Sequence, residues 1–232
     1  MSSDAGAASQ IPAATQEPLG ESRWPPVAAL VVFAAFTVAA RLWLPGEPAT
    51  RVPWLIPSLE AVLLVALVAS DPARLARRTR WAHRIAIAIV LMLVAAALWA
   101  TALLVYDLIT GSGVSKHATQ LLATGALVWV GNNLAFGMLY WFMDGGGPIA
   151  RTLDPAPVDF AFVQHTSPEL APAGWRPVFL DYLHLGFTNA TAFSPTDVMP
   201  LSLRAKYLML LQASVALALL GLVVARAVNA FT

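Results

Sequence analysis

The chain has 232 residues, 58% of them hydrophobic and 12% charged, with a formal net charge of +1 and no cysteine. A soluble domain carries roughly 25% charged residues, so this composition suits a bilayer better than an aqueous core. The near-neutral balance excludes a field that recruits nucleic acid, and the lack of cysteine excludes disulfides, thiolate catalysis and Cys-ligated zinc or iron–sulfur centres.

Residues 1–22 are rich in Ala, Ser, Gln, Pro and Gly, with Asp4, Glu17 and Glu21 as their only charges. They lack the apolar content to fold and are expected to form a disordered tail. A secretory signal would place basic residues ahead of its apolar run; here acids precede it, so the run is expected to stay in the membrane. Crossing the hydrocarbon core takes about 20 apolar residues. Five runs qualify, at 25–44, 52–70, 85–106, 118–142 and 205–225. Pro53 and Pro57 fall in the first turns of the second run, where proline costs least. Residues 23–232 are therefore read as a single all-α membrane domain, a polytopic helix bundle.

Between the fourth and fifth runs the character changes. Asp144–Gly147 and Pro148 end the fourth helix, and the proline-rich stretch within 143–177 reads as a loop. A short apolar stretch, 178–187, covers about half a bilayer at ~1.5 Å per residue. It is expected to be a half-helix, re-entrant or interfacial, followed by a polar loop at 188–200.

Orientation follows from Lys and Arg. Arg74, Arg77, Arg78, Arg80 and Arg84 lie between the second and third runs, which places that loop and the N-terminus in the cytoplasm. Five crossings then divide the basic residues ten inside to four outside. The expected location is a bacterial inner membrane, with the lipid bilayer as the first partner.

Several polar residues fall inside the runs. Glu60 lies ~12 Å along the second helix, a depth at which an ionisable group is expensive. It is either half of a structural pair with Arg41 or Arg226, or an ion or proton site. Asn132 and Asn133 sit mid-span, about 100° apart on the helix, and together with Gln212 are expected to hydrogen-bond between helices. Asp181 and His184 share a helix face at i, i+3. No phosphate loop, nucleophile elbow or HExxH motif is present, so neither an enzyme nor a cofactor or metal site is expected. Asp181, His184 and Asp197 form the one acid–base set that such an enzyme would have.

The segment 179–200, FLDYLHLGFTNATAFSPTDVMP, has the layout of a pore helix, a filter, an Asp and a Pro, followed by a basic pair and a full span. It resembles a potassium-channel pore loop, with Thr191 on the threonine that opens the channel signature and Asp197 and Pro200 on its acid and proline. Ser194, Pro195 and Thr196 stand where channels have Gly-Tyr-Gly. Proline fixes φ near −65° and does not allow the carbonyl geometry that the glycines permit, so the filter is degenerate. The stretches LYWFMDGGGP (139–148), SPELAP (167–172) and FTNATAFSPTDVMPLSLRAKYLMLLQ (187–212), with ARAVN (225–229), resemble a family of uncharacterised bacterial integral membrane proteins described as ion-channel-like.

Two functions follow as expectations. In the first, Thr188, Asn189, Thr191, Ser194, Thr196 and Asp197 line a path for a monovalent cation. One loop per chain then requires a homo-oligomer around an axis. In the second, the chain is a structural or accessory membrane protein and the same segment is a turn, with Ser194 or Thr196 capping the backbone and Asp197 capping the last helix or pairing with Arg204.

Overall fold

The computed structural model describes residues 21–22, 24–43, 55–69, 80–110, 118–148, 150–153, 157–191 and 197–231. Helices α1 (Trp24–Trp43), α2 (Leu55–Ala69), α3 (Arg80–Thr110) and α4 (Ala118–Met143) lead into a 3₁₀ turn at Asp144–Gly146. Two one-turn helices follow, α5 (Ala150–Leu153) and α6 (Val163–Thr166), with strand β1 (Phe160–Phe162) between them. Helix α7 (Phe179–Thr191), strand β2 (Val198–Pro200) and helix α8 (Leu203–Phe231) complete the order.

Among the described residues three segments are long and apolar enough to cross a membrane: Arg84–Thr110, Thr119–Gly146 and Leu203–Val228. The first two runs do not reach that standard there. The apolar helix counted in α1 is Trp24–Ala35, and α2 has 15 residues. Apolar side chains remain outside as well as inside: Tyr207, Leu210, Leu217, Val224 and Val228 are all more than half exposed along α8. Such a face is at home in lipid.

Helix α4 is the hub, packed on α1, α3, α7 and α8. Its partners run antiparallel to it where the contacts show direction. Phe33 of α1 lies at Gly131, and Val223 of α8 lies at Gly125. Phe179 of α7 meets Trp141 with ring centroids 5.6 Å apart, and Phe187 meets Trp129 at 5.2 Å. The starts of α1, α7 and α8 therefore gather at the end of the bundle where α4 finishes. We call this the gathered end.

Helix α7 is longer than the half-helix 178–187 and absorbs Thr188, Asn189 and Thr191, which sequence alone placed in a loop. Its start is well capped. The Val178 N–H donates to the Asp181 carboxylate (2.7 Å), and the Phe179 N–H donates to the Glu21 carboxylate. Two hydroxyls near its end bond back to helical carbonyls, Thr188 to His184 (3.0 Å) and Thr191 to Phe187 (2.9 Å). These bonds satisfy the polar side chains without a loop.

Gly137 and Gly186 let α4 and α7 meet backbone to backbone. A Cβ at Gly186 would stand 3.3 Å from the Asn133 carbonyl oxygen, and one at Gly137 would stand 3.2 Å from Leu183 Cα. Small residues that allow such an approach are a device of membrane helix packing. Gly186→Val is expected to lose about 1–3 kcal/mol of unfolding free energy through overpacking. Denaturant unfolding in detergent checks this, and an unchanged midpoint would mean that the helices are not held this close.

After α7 the chain returns to the gathered end. Strand β2 pairs antiparallel with β1, Phe160 opposite Pro200 and Phe162 opposite Val198. The Val163 N–H donates to the Asp197 carbonyl (3.2 Å), and the Leu201 N–H donates to the Asp159 carbonyl (2.8 Å). Helix and return strand thus begin and end on the same side of the bundle.

Candidate functional site

Two polar networks and one exposed pair surround α7. The first network is buried between α4, α7 and α8. Gln212 Oε1 accepts from the Tyr140 hydroxyl (2.8 Å) and from Asn189 Nδ2 (2.9 Å). Gln212 Nε2 donates to the Gly186 carbonyl (2.9 Å) and to Asn133 Oδ1 (3.3 Å). Asn189 Nδ2 also reaches the Met209 carbonyl at 2.9 Å. A primary amide offers two donors and an acceptor oxygen with two lone pairs, and Gln212 uses all four. Asn132 points to a different neighbour, donating to Thr101 Oγ1 on α3 at 2.7 Å. The two adjacent asparagines thus serve two helices, as their 100° separation requires.

The second network sits at the gathered end. Asp144, fully buried, accepts the Asp159 N–H (2.6 Å) and the Phe160 N–H (3.2 Å) on Oδ1, and the Tyr182 hydroxyl on Oδ2. Asp159 in turn holds Arg204 through two bonds, Nε at 2.7 Å and Nη2 at 2.6 Å. This bidentate fork fixes the start of α8 to β1. Arg151 covers the end of α4, donating from Nη1 to the carbonyls of Trp141 (2.8 Å) and Asp144 (2.7 Å). Its Nη2 meets Glu21 at 3.1 Å, and its guanidinium lies 5.0 Å over the Tyr182 ring. The turn that brings Arg151 back needs glycine: Gly145, Gly146 and Gly147 all have positive φ, and a Cβ on Gly145 would come within 2.7 Å of Arg151 Cγ.

Glu21 corrects the reading of 1–22 as wholly disordered, since its carboxylate also accepts from the Trp141 indole at 2.7 Å. Residues 1–20 lie outside the described residues. Burial pushes the Glu21 carboxyl above its ordinary range, against the pull of Trp141, Arg151 and the Phe179 N–H.

The exposed pair is His184 and Asp197. His184 Nε2 lies 3.2 Å from Asp197 Oδ2, with side chains 58% and 43% exposed. This pair joins α7 to the return strand. Asp181 is not part of it, because its carboxylate is turned to the Val178 N–H, so the i, i+3 pairing with His184 is replaced by helix capping. Asp197 does not pair with Arg204 either, since Asp159 holds that guanidinium.

Of the six residues expected to line an ion path, Thr188 and Thr191 bond to their own helix, Asn189 is locked in the buried network, and Asp197 faces His184. Ser194 and Thr196 lie outside the described residues. Glu60 is 1% exposed, with no hydrogen-bond partner on either oxygen among the described residues. It does not pair with Arg226: α2 packs on α1 and α3, whereas Arg226 is on α8, its Nε also without a hydrogen-bond partner among the described residues. Arg41's side chain lies outside the described residues. Among the described residues no group of three or more His, Asp or Glu side chains is arranged to hold a metal ion.

Sequence reasoning missed Glu21, Tyr140, Asp144, Arg151, Asp159 and Tyr182. Only Asp144 carried a signal, the three glycines after it. Set against protein-family models, curated proteins and solved structures, the chain matches none.

Proposed function

We propose that the protein is a multi-pass membrane protein in which α1, α2, α3, α4 and α8 cross the bilayer and α7 re-enters it. Segment 188–200 then handles a monovalent cation or a proton through Asp197 and His184, with the gathered end in the cytoplasm. The observation that carries this reading is the path of the chain. It runs into the bundle along α7, is back at the same end by β2, and leaves an ionisable pair open between the two. Non-helical backbone at membrane depth is tolerated only where protein buries it or a water-filled cavity meets it. Helix α7 leaves one stripe uncovered, Leu180, His184, Phe187 and Thr191, at i, i+4, i+7 and i+11. A second copy of the chain across an axis would supply the other wall, which supports the homo-oligomer.

The working groups in this reading are Asp197 and His184, and not a ring of threonine hydroxyls. Reconstituted into liposomes, the protein is expected to pass potassium or protons. Asp197→Asn should reduce that flux to the level of protein-free vesicles. Thr188→Val and Thr191→Val should leave it unchanged, because those hydroxyls are engaged with helical carbonyls. Loss of flux in the threonine variants alone would restore a hydroxyl-lined filter.

A second reading has its own support. The satisfied bonds of Gln212, Asn189, Thr188 and Thr191 are those of a rigid structural element, and an accessory membrane protein needs nothing more. No flux from the native protein above protein-free vesicles would decide for it.

A further inference from the structure

Glu60 stands apart from both networks. Its neighbours on α2, Leu59 and Leu63, are 7% and 1% exposed and pack in one apolar cluster with Leu30 and Phe33 of α1 and Val90, Leu93 and Val94 of α3. Glu60 as a whole is 1% exposed, and both carboxyl oxygens are buried without a hydrogen-bond partner among the described residues. The helices packed on α2 supply little that could compensate a charge. Residues 85–105 of α3 contain no ionisable side chain; Arg80, His83 and Arg84 precede them, and Tyr106 and Asp107 follow. Helix α1 contains only Arg41, near its end, with a side chain outside the described residues. Glu60 is the only ionisable residue of α2.

An ionised carboxylate taken from water into apolar surroundings without a partner costs far more than a folded protein can offset, so the group takes up a proton instead. A neutral acid loses only ordinary hydrogen bonds. Glutamine or leucine would fill the same space without a titratable group, so the carboxyl is an added capacity and not a packing requirement. We infer that Glu60 is a proton-binding site of the folded protein, held as the neutral acid in the apolar core between α1, α2 and α3. This inference rests on the packing of α2 and not on the Asp197–His184 reading, so either can fail without the other.

The test uses the full chain in liposomes near neutral pH, treated with the lipid-soluble reagent dicyclohexylcarbodiimide. A protonated carboxyl transfers its proton to a reagent nitrogen while its oxygen adds to the central carbon. The resulting O-acylisourea rearranges to a stable N-acylurea, with all atoms of the reagent retained. Peptide mass spectrometry is expected to find this adduct on Glu60 and none in Glu60→Gln, and a water-soluble carbodiimide should not form it. Glu60→Gln should fold and melt as the native protein does, since a neutral amide replaces a neutral acid. Its infrared spectrum should lack a protonated-acid carbonyl band that the native protein shows. A native protein without that band overturns the inference, because an ionised Glu60 is then compensated by a cation. So does an adduct that appears only in Arg41→Gln, or a Glu60→Gln variant that no longer folds, either of which makes Glu60 one half of an ion pair with Arg41.

Discussion

Asp144→Ala is expected to cost about 3–5 kcal/mol of unfolding free energy, enough to remove much of the stability of a protein of this size. Three donors converge on this fully buried carboxylate: the N–H groups of Asp159 and Phe160 and the hydroxyl of Tyr182. Alanine leaves all three without an acceptor in a place water does not reach, and each orphaned donor costs about 1–3 kcal/mol. The damage should spread, since the same stretch of backbone presents Asp159 to Arg204 and sets β1 against β2. Denaturant unfolding in detergent micelles measures the loss. Asp144→Asn keeps one acceptor oxygen and should fall between native and alanine. A loss under about 1 kcal/mol for alanine would show that the three donors find other partners and that the network is not as drawn.

Gln212→Leu is expected to have the next largest effect and a different signature. Leucine fills similar space but abandons four bonds at once, to Tyr140, Asn189, Gly186 and Asn133. Interhelical hydrogen bonds in membranes average roughly 0.6 kcal/mol and reach about 2, so a loss of about 2–4 kcal/mol follows. Tyr140→Phe removes one of the four and should cost about 0.6–2 kcal/mol. The diagnostic consequence is local. Helix α7 is tied to α8 mainly through Gln212, so amide exchange over 179–191 should accelerate in Gln212→Leu, while exchange in α3 stays native. Uniform acceleration across all helices would mean that Gln212 supports the bundle as a whole and does not dock α7 in particular.

Amide exchange over α7 also bears on the two functional readings. An ion path through Asp197 and His184 needs their geometry held, and Gln212 touches neither but bonds the Gly186 carbonyl on the helix that carries His184. A Gln212 variant that loosens α7 and reduces flux in parallel would tie docking to conduction. Thr188→Val and Thr191→Val act as controls on the same helix, because they remove hydroxyls without removing a tie to α4 or α8.

Read alone, the sequence specifies a mostly helical chain with apolar helices of membrane-crossing length, and the order in which they come. A run of apolar residues is a local property, and its length limits what a helix can span, so α3, α4 and α8 were legible within a few residues. So was the stop after α4, because three successive residues at positive φ require glycine, and Asp144 is followed by three. The adjacent asparagines announced two neighbours through helical geometry alone. The length of α7 was not legible. Thr188, Asn189 and Thr191 read as polar loop, and only packing against α4 and α8, with Gly186 at the crossing and Gln212 beside it, makes them helical. The ties of Glu21 were equally hidden: its partners Phe179 and Arg151 lie 158 and 130 residues away along the chain, and nothing in an Ala- and Pro-rich tail singles it out. The acid that holds Arg204 was not legible either: by sequence Asp197 is the candidate beside it, whereas its partner in the fold, Asp159, lies 45 residues away. The antiparallel pairing of β1 with β2 decides it by bringing Asp159 beside the start of α8 and turning Asp197 toward His184. Hydrophobic length is written residue by residue, whereas the partner of a buried polar atom depends on which distant segments the folded chain brings within about 3 Å of one another.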